Sequence, residues 1–486
     1  MSDIEEHRKK IEEITLEMIK LLKTRTDISK QIGDAKASLG MTVTDEERED
    51  ALRNQVTKLS KEIDLDQSTA LKFLNFLFNE SVKVQSDKKQ THLSVFLKAK
   101  ALEEEGKKII HLEVGEPDFR PPEEVKTALK EVYDKGYGKY GPAKGITELR
   151  KELVKWNSYA RDGGEWKRPT EENIMVVPGA RFAVYLAITT LLNPGDEIIV
   201  IEPAWPAYKD CALNAGVKVR TIKTTLETKW EPSIDQINNT INENTKMIVL
   251  NYPNNPTGKI LPENMMKNII NIARKHDLYV LSDEIYEFYY MDGDLPSPTV
   301  RPGVVYGYEK TIVTQSFSKS FAMTGYRIGY AIADPSIIEK MSKLQALSLT
   351  NVSEPIQYVA LKALERMIRG GDGSSYPGSN NLLVRSRLKA LVKSAKDIGL
   401  EFIEPDGAMY LFARTKYKNF DATEFSEKLL KHGVAIAPGE GFGDYKEFFR
   451  ITAIDETKLM EGMIILDTVL KENVCCLLYT SDAADE

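Results

Sequence analysis

Residues 314–329 read TQSFSKSFAMTGYRIG. Lys319 lies between two serines inside an apolar segment, and Arg327 follows eight residues later. Burying an ammonium group is costly unless a neighbour needs its charge. The stretch is therefore either a surface turn or the floor of a site, and its surroundings decide. DEIIVIEP, KMIVLNYP and LYVLSDEIY are short β-rich runs separated by helical segments; KTIVTQSFS leads into the lysine and YRIGYAIAD follows it. Strands alternating with helices predict a parallel or mixed α/β sheet, whose ligands gather in loops at the strand ends.

Those strand ends carry an unusual set of groups. SDEIY holds Asp283 and Tyr286, NNPTG holds Asn255, SFSKSF holds Lys319, and GYRIG holds Arg327. A carboxylate, a phenol, an amide, an amine and a guanidinium lack the paired base and nucleophile of a hydrolase. They suit pyridoxal 5'-phosphate, which needs a lysine for its Schiff base, an acid against its ring nitrogen, donors to its phenolic oxygen and a cationic phosphate cradle.

The order S-x-S-K then G-x-R-x-G resembles the class I aminotransferases of the aspartate aminotransferase family, fold type I, and the resemblance spans residues 94–474. It implies that Lys319 holds the cofactor and then shuttles the proton between the substrate α-carbon and the cofactor. Asp283 keeps the pyridine nitrogen protonated, Tyr286 and Asn255 bond the phenolate oxygen, and Arg327 grips the phosphate with Ser316 and Ser318. Gly179, Ala180 and Arg181 in PGARFAVYLA open a helix whose N-terminus favours a phosphate. Trp205 in EPAWPAY matches the aromatic stacked on the ring, and Tyr140 in KYGPAKG matches the tyrosine that reaches the neighbouring subunit's phosphate. Arg450 in FFRIT matches the clamp on the substrate α-carboxylate. Gly115 in VGEPDF, with Asn255 and Trp205, matches the remaining substrate contacts. Singly, Asp283 could cap a helix, Asn255 shape a turn, Trp205 fill a core and Arg450 pair at the surface. Their joint occurrence in family order favours the site. PGEGFGD at 438–444 imitates a dinucleotide fingerprint without a strand–loop–helix unit and reads as a structural loop.

Composition bounds the rest. The 486 residues are 42% apolar and 29% charged, as in a soluble globular protein of two or three domains. A net charge of -7 calls for neither nucleic acid nor an anionic membrane. No apolar run spans a bilayer, MSDIEEHRKK is too charged for a signal peptide, and three cysteines make no disulfide framework, so a cytoplasmic protein is expected. Five scattered histidines lack metal-ligand spacing, so no metal is expected. The tail from Cys476 to Glu486, CLLYTSDAADE, lacks the preceding helical periodicity and resembles a translated sequencing adapter. Residues 475–486 are set apart from the fold on that ground.

Residues 1–90 follow a different grammar, with no proline and only Gly33 and Gly40. Apolar residues recur at Ile4, Ile11, Ile14, Met18, Leu21, Leu22, Ile28 and Ile32, the seam of a long helix. SLGMTVTDEERE breaks it, with Thr44 as a cap for a second helix reaching about Ile63; DLDQSTALKFLNFLFNESVKVQ makes a third. Arg25 and Lys36 share one face of the first helix; Arg48 and Glu49 lie on the second, and Ser81 and Gln85 lie one turn apart on the third. Arg8 lies about a hundred degrees from Arg25 and would join its pocket only from a partner chain.

Residues 4–86 are similar to the all-helical chorismate mutase family, with Arg8, Arg25, Lys36, Asp45, Arg48, Glu49, Ser81 and Gln85 at its site positions. The resemblance implies that Arg8 of a partner, Arg25 and Arg48 take the substrate carboxylates, Lys36 and Gln85 bond the ether oxygen, and Glu49 takes the hydroxyl. Asp45 and Ser81 complete the contacts. A unimolecular rearrangement needs such a cage and no nucleophile.

The expected architecture is multidomain: an all-α domain at 1–86, a linker at 87–94, and a PLP-dependent transferase of fold type I at 95–474. Its large mixed, mostly parallel sheet domain covers about 140–350, and its small α+β domain draws on 95–139 and 351–474. The function expected is bifunctional, chorismate to prephenate plus amino transfer between aspartate or glutamate and a 2-oxo acid. The alternative is an aspartate aminotransferase whose helical domain only dimerises or senses an aromatic ligand. A DNA-binding head is disfavoured, since residues 1–90 carry sixteen Lys and Arg against eighteen Asp and Glu. Both resemblances imply a homodimer.

Overall fold

The computed structural model describes residues 2–38, 46–86, 92–159, 169–291, 308–369, 376–417 and 420–482. The chain divides into two compact units, Met1–Lys89 and Gln90–Glu486.

The described residues of the first unit form three helices, α1 (Ser2–Ser38), α2 (Glu46–Glu62) and α3 (Gln67–Ser86). Thr44 and Asp45 lie outside the described residues. Asp66 takes the backbone N–H of Thr69 at 2.7 Å, which fixes the start of α3. Among the described residues a small core closes here around Ala70 and Leu74. The seam on α1 is largely uncovered, with Ile4 60%, Ile11 65%, Ile14 60% and Leu21 62% exposed.

The second unit opens with α4 (His92–Glu104), so that residues 92–94, assigned by composition to the linker, form its first turn. The reason is packing: Val95, Ala99 and Leu102 dock on Ile109, Leu430 and Ala435. Among the described residues thirteen strands follow in chain order. They are β1 (Ile110–His111), β2 (Ile174–Val177), β3 (Glu197–Glu202), β4 (Lys218–Lys223), β5 (Thr245–Asn251), β6 (Tyr279–Asp283) and β7 (Thr311–Ser316). Then come β8 (Gly329–Ile332), β9 (Glu401–Phe402), β10 (Tyr410–Arg414), β11 (Val434–Ala435), β12 (Ala437–Pro438) and β13 (Phe448–Thr452).

Seven strands form one sheet in the order β2-β8-β7-β6-β5-β3-β4. β8 runs antiparallel to both its neighbours and the remaining pairs are parallel. The central strands are apolar on both faces because helices cover both, as parallel sheets require. The helix Ala180–Leu191 packs one face with Val184, Leu186 and Ile188, while Glu263–Lys275 packs the other with Met266, Ile269 and Ile270. The smaller sheet, β12-β13-β10-β9, is antiparallel, and β1 pairs with β11 in parallel. Leu112, Leu411, Phe449 and Ile451 fill its core with the C-terminal helix Glu456–Asp482. This is the large mixed sheet domain with a small α+β domain expected from sequence.

At the C-terminus the segment set apart by composition carries on the preceding helix. The helix continues without a break from Glu456 through Cys476 to Asp482. Loss of the amphipathic pattern does not stop a helix that meets neither proline nor glycine, because each added residue still closes a backbone bond.

Candidate active site

Chemistry collects at the carboxyl ends of the parallel strands. Register sets Asn251, the last residue of β5, beside Asp283, the last of β6, and pairs Asp283 with Thr314 of β7. β7 ends at Ser316, whose hydroxyl accepts the N–H of Ser318 at 2.9 Å. That bond caps a single helical turn, Phe317–Ser320, and the turn carries Lys319. The S-x-S-K pattern is thus a capped turn that aims an amine across the sheet ends. Tyr289 fixes it from behind by donating its hydroxyl to the Lys319 carbonyl at 2.6 Å.

The amine borders a cavity of about 460 Å³. Asp283, Tyr286, Asn255, Trp205, Arg327 and Arg450 also line it. Ser318, Ala180, Arg181 and Gly115, also anticipated from sequence, line it as well. Lys319 is buried and its ammonium donates to the carbonyl of Gly115. Burial, with Arg450 and Arg327 nearby, pulls its pKa down to about 8. Asp283, 3% exposed, shifts the opposite way, to about 6, because burial disfavours its ionised form. The Tyr208 hydroxyl donates to its Oδ2 at 2.6 Å and offsets part of that cost.

A second cluster frames one end of the cavity. Gly179 precedes the helix Ala180–Leu191 with φ +91, and a Cβ there would lie 2.7 Å from Arg327 Nη2. Glycine is required because the guanidinium sits against the start of the helix. Arg327 itself adopts the left-handed region, φ 50, and its Nη1 donates to the Thr324 carbonyl at 2.7 Å. Arg181 stacks over the Trp205 ring at 4.7 Å, and Trp205 meets Tyr208 edge-on. Helix N–H groups and a guanidinium converging on one pocket end make an anion site.

At the other end Arg450, 2% exposed, is gripped on several sides. Its Nη1 donates to Asn255 Oδ1 at 2.8 Å and its Nη2 to the Glu113 carbonyl. Its guanidinium lies 4.3 Å from the centre of the Tyr410 ring and 5.1 Å from that of Phe442. Nε remains buried without a partner. A preorganised, dry guanidinium with donor capacity in hand fits a carboxylate. Asn255 is held by Asn251, whose Oδ1 accepts its N–H at 3.0 Å.

Not every anticipated residue converges. Tyr140 is 89% exposed and does not line the cavity of its own protomer. Ser316 acts through Ser318, to which its hydroxyl donates at 2.7 Å. Tyr286 spends its hydroxyl on Tyr410, 2.5 Å away. Sequence reading missed Tyr208, Tyr410 and Glu113. Tyr208, three residues after Trp205, carried a usable signal, since a tyrosine buried in a helix needs a partner for its hydroxyl. The PGEGFGD loop is structural, as expected, and supports the site by supplying Phe442 to Arg450.

In the helical unit Arg25 is half-buried and donates from Nη1 to Ser81 Oγ at 2.6 Å and to the Leu77 carbonyl at 2.7 Å. Ser81 also lies 3.1 Å from Ser29 Oγ. Burial lowers the pKa of Arg25. Lys36 and Glu49 are partly buried and Arg48 is exposed. Arg8 is exposed and pairs with Glu5 of its own turn at 2.9 Å, apart from the Arg25 group. Asp45 and the side chain of Gln85 lie outside the described residues. Among the described residues no cluster could hold a metal and no helix is long and apolar enough to cross a membrane.

Comparison with known proteins matches this geometry. Residues 107–463 match the family "Aminotransferase class I and II", and residues 7–86 match "Chorismate mutase type II". The aspartate aminotransferase of Pyrococcus horikoshii is 35% identical over 369 residues, covering 75% of this chain and 91% of that protein. The aspartate/prephenate aminotransferase of Thermus thermophilus is 33% identical over 384 residues, covering 79% and 96%. The structure of Thermus thermophilus aspartate aminotransferase with maleate superposes with a TM-score of 0.73 at 32% identity, over 80% of this chain and 98% of that one.

The family uses pyridoxal phosphate, and the residues present fit it: a buried amine of depressed basicity, a buried acid that a cation would stabilise, and an anion cradle that a Cβ at Gly179 would fill. The chain therefore belongs to the class I and II aminotransferases, pyridoxal-phosphate enzymes, and carries a type II chorismate mutase domain ahead of that catalytic unit.

Proposed function

We propose that the protein is bifunctional. Its helical unit converts chorismate to prephenate. Its larger unit moves an amino group between aspartate or glutamate and a 2-oxo acid, with prephenate or an aromatic 2-oxo acid as acceptor and oxaloacetate/2-oxoglutarate exchange as the simpler alternative. The observation that carries the transferase half is Lys319, a buried amine brought to about 8 opposite a buried guanidinium. The relative named aspartate/prephenate aminotransferase supports the acceptor, as does fusion to a domain whose product would be prephenate.

In this reading Arg450 receives the substrate α-carboxylate and orients its α-carbon toward Lys319. Near neutral pH a useful fraction of Lys319 is the free base, so it can take and return the α-proton. Arg327 and the start of the helix Ala180–Leu191 would hold the cofactor phosphate, with Trp205 and Asp283 holding its ring. When bound, pyridoxal phosphate supplies the electron sink that makes the α-proton removable. In the helical unit Arg25, positioned by Ser81, holds a carboxylate of chorismate, with Lys36, Arg48 and Glu49 completing a cage that stabilises the polar transition state. The uncovered seam of α1 supports a homodimer, through which Arg8 of one copy would reach its partner's cage.

The test uses the full chain. Lys319→Ala is expected to abolish transamination and leave chorismate turnover intact, while Arg25→Ala lowers mutase turnover by about a hundredfold or more and spares transamination. Loss of both activities in one folded single variant would refute two independent sites. Wild-type chain that leaves chorismate unchanged would reduce the helical unit to association or ligand sensing.

A further inference from the structure

Beside the cavity a run of side chains leads from solvent to its wall, and none of the roles above uses it. Alternation along β1 and its continuation puts His111 and Glu113 on one face, while Leu112 enters the core. His111 Nδ1 lies 2.7 Å from Glu113 Oε1, and Nε2 lies 3.2 Å from Glu103 Oε1 on α4. Glu103 in turn receives Lys100 Nζ at 2.7 Å. Side-chain exposure falls inward, from 33% at Glu103 through 22% at His111 to 0% at Glu113.

Two features give this run a direction. A neutral imidazole has one N–H and can serve only one of its two carboxylates, so the ring is fully satisfied only as the imidazolium. At the inner end the Glu113 carbonyl accepts from Arg450 Nη2, and both Glu113 Oε2 and Arg450 Nε are buried without partners. Both residues line the cavity. The carboxylates raise the basicity of His111 above that of an ordinary histidine, the Glu113 hydrogen bond most strongly. The cation of this run, Lys100, is engaged by Glu103 and also feels Glu113 and Glu116 of the cavity wall.

We propose that Glu103, His111 and Glu113 are positioning residues for Arg450. Imidazolium His111, clasped between two carboxylates, pins Glu113 in the cavity wall, and the Glu113 carbonyl sets the guanidinium that receives substrate. When His111 loses its proton one clasp opens, and an uncompensated carboxylate is left in the wall, weakening the grip on an incoming carboxylate. Substrate affinity is thereby tied to the charge of a histidine that does not touch substrate. This rests on reading Arg450 as the carboxylate clamp.

The experiment measures binding of maleate, an unreactive dicarboxylate, to the holoenzyme across the range in which a raised histidine titrates. Wild type should bind more weakly as pH rises through that ionisation. His111→Gln should bind about tenfold more weakly on the acid side, the size of one charge-assisted hydrogen bond, and converge with wild type on the alkaline side, whereas Glu113→Gln, which leaves no carboxylate in the wall, should lose the pH dependence across that range. The loss should fall on KM for amino acid and 2-oxo acid alike rather than on kcat. Glu103→Gln, at the exposed end, should shift the curve without unfolding risk. An independent readout is the His111 ring resonance, whose titration should move to lower pH in Glu113→Gln. Wild-type affinity and pH profile in all three variants, with binding lost in Arg450→Ala, would overturn the chain alone. Retained binding in Arg450→Ala would overturn the clamp and the proposal with it.

Discussion

Asp283→Asn should make the cofactor-free protein more stable and the enzyme far less active. The side chain is 3% exposed and its pKa rises from an ordinary 3.8 to about 6, with burial the largest cause. At about 1.4 kcal/mol per pH unit, holding it ionised costs the fold about 3 kcal/mol. Below pH 3.8 the carboxyl is protonated in both folded and unfolded chains and costs nothing. Between 3.8 and about 6 the unfolded chain sheds the proton first, so stability falls as pH rises, and above that the full cost persists. Asparagine keeps an acceptor for the Tyr208 hydroxyl and carries no charge. The variant should therefore exceed wild type by up to about 3 kcal/mol above neutrality and match it in acid. Denaturant unfolding of the stripped protein, followed by tryptophan fluorescence, isolates the effect. All four tryptophans (Trp156, Trp166, Trp205 and Trp230) lie in the second unit. Turnover of the reloaded variant should fall by about a hundredfold or more, since the ring nitrogen loses its counter-charge. A variant less stable than wild type at neutral pH, or a difference that does not vary with pH, would refute the reasoning.

Two further outcomes follow from the same geometry. Tyr208→Phe removes the donor 2.6 Å from Asp283, which should raise that acid further and move the acid limb of cofactor affinity toward neutrality by about one pH unit, checked by cofactor titration at several pH values. Gly179→Ala forces a side chain into φ +91 and to within 2.7 Å of Arg327 Nη2; it should weaken cofactor binding by about tenfold or more while leaving chorismate turnover unchanged.

The helical head and the alternating strands of the larger unit could be read before any coordinates, because periodicity and glycine placement are local. So could Lys319, Arg327, Asp283 and Asn255, each tied to a strand end by a short motif. Arg25 and Ser81, fifty-six residues apart, meet in the structure, and the resemblance had placed both in one site. The failures were of two kinds. Composition assigned residues 92–94 to the linker, yet packing of Val95 and Ala99 draws them into the first turn of α4. Partners contributed from other elements were invisible: Tyr208 to Asp283, and Tyr410 and Phe442 to Arg450.

Residue order alone was enough to fix which groups are available, an amine, an acid and a guanidinium at strand ends with a second guanidinium inside FFRIT, and how the chain alternates around them. It could not fix their working state. The basicity of Lys319, the reluctance of Asp283 to ionise and the dry clasp around Arg450 arise only when sheet register stacks β5, β6 and β7 and the small domain supplies β10 and β13. The physical reason is that desolvation and charge pairing depend on what surrounds a group in space, and those neighbours come from segments hundreds of residues apart.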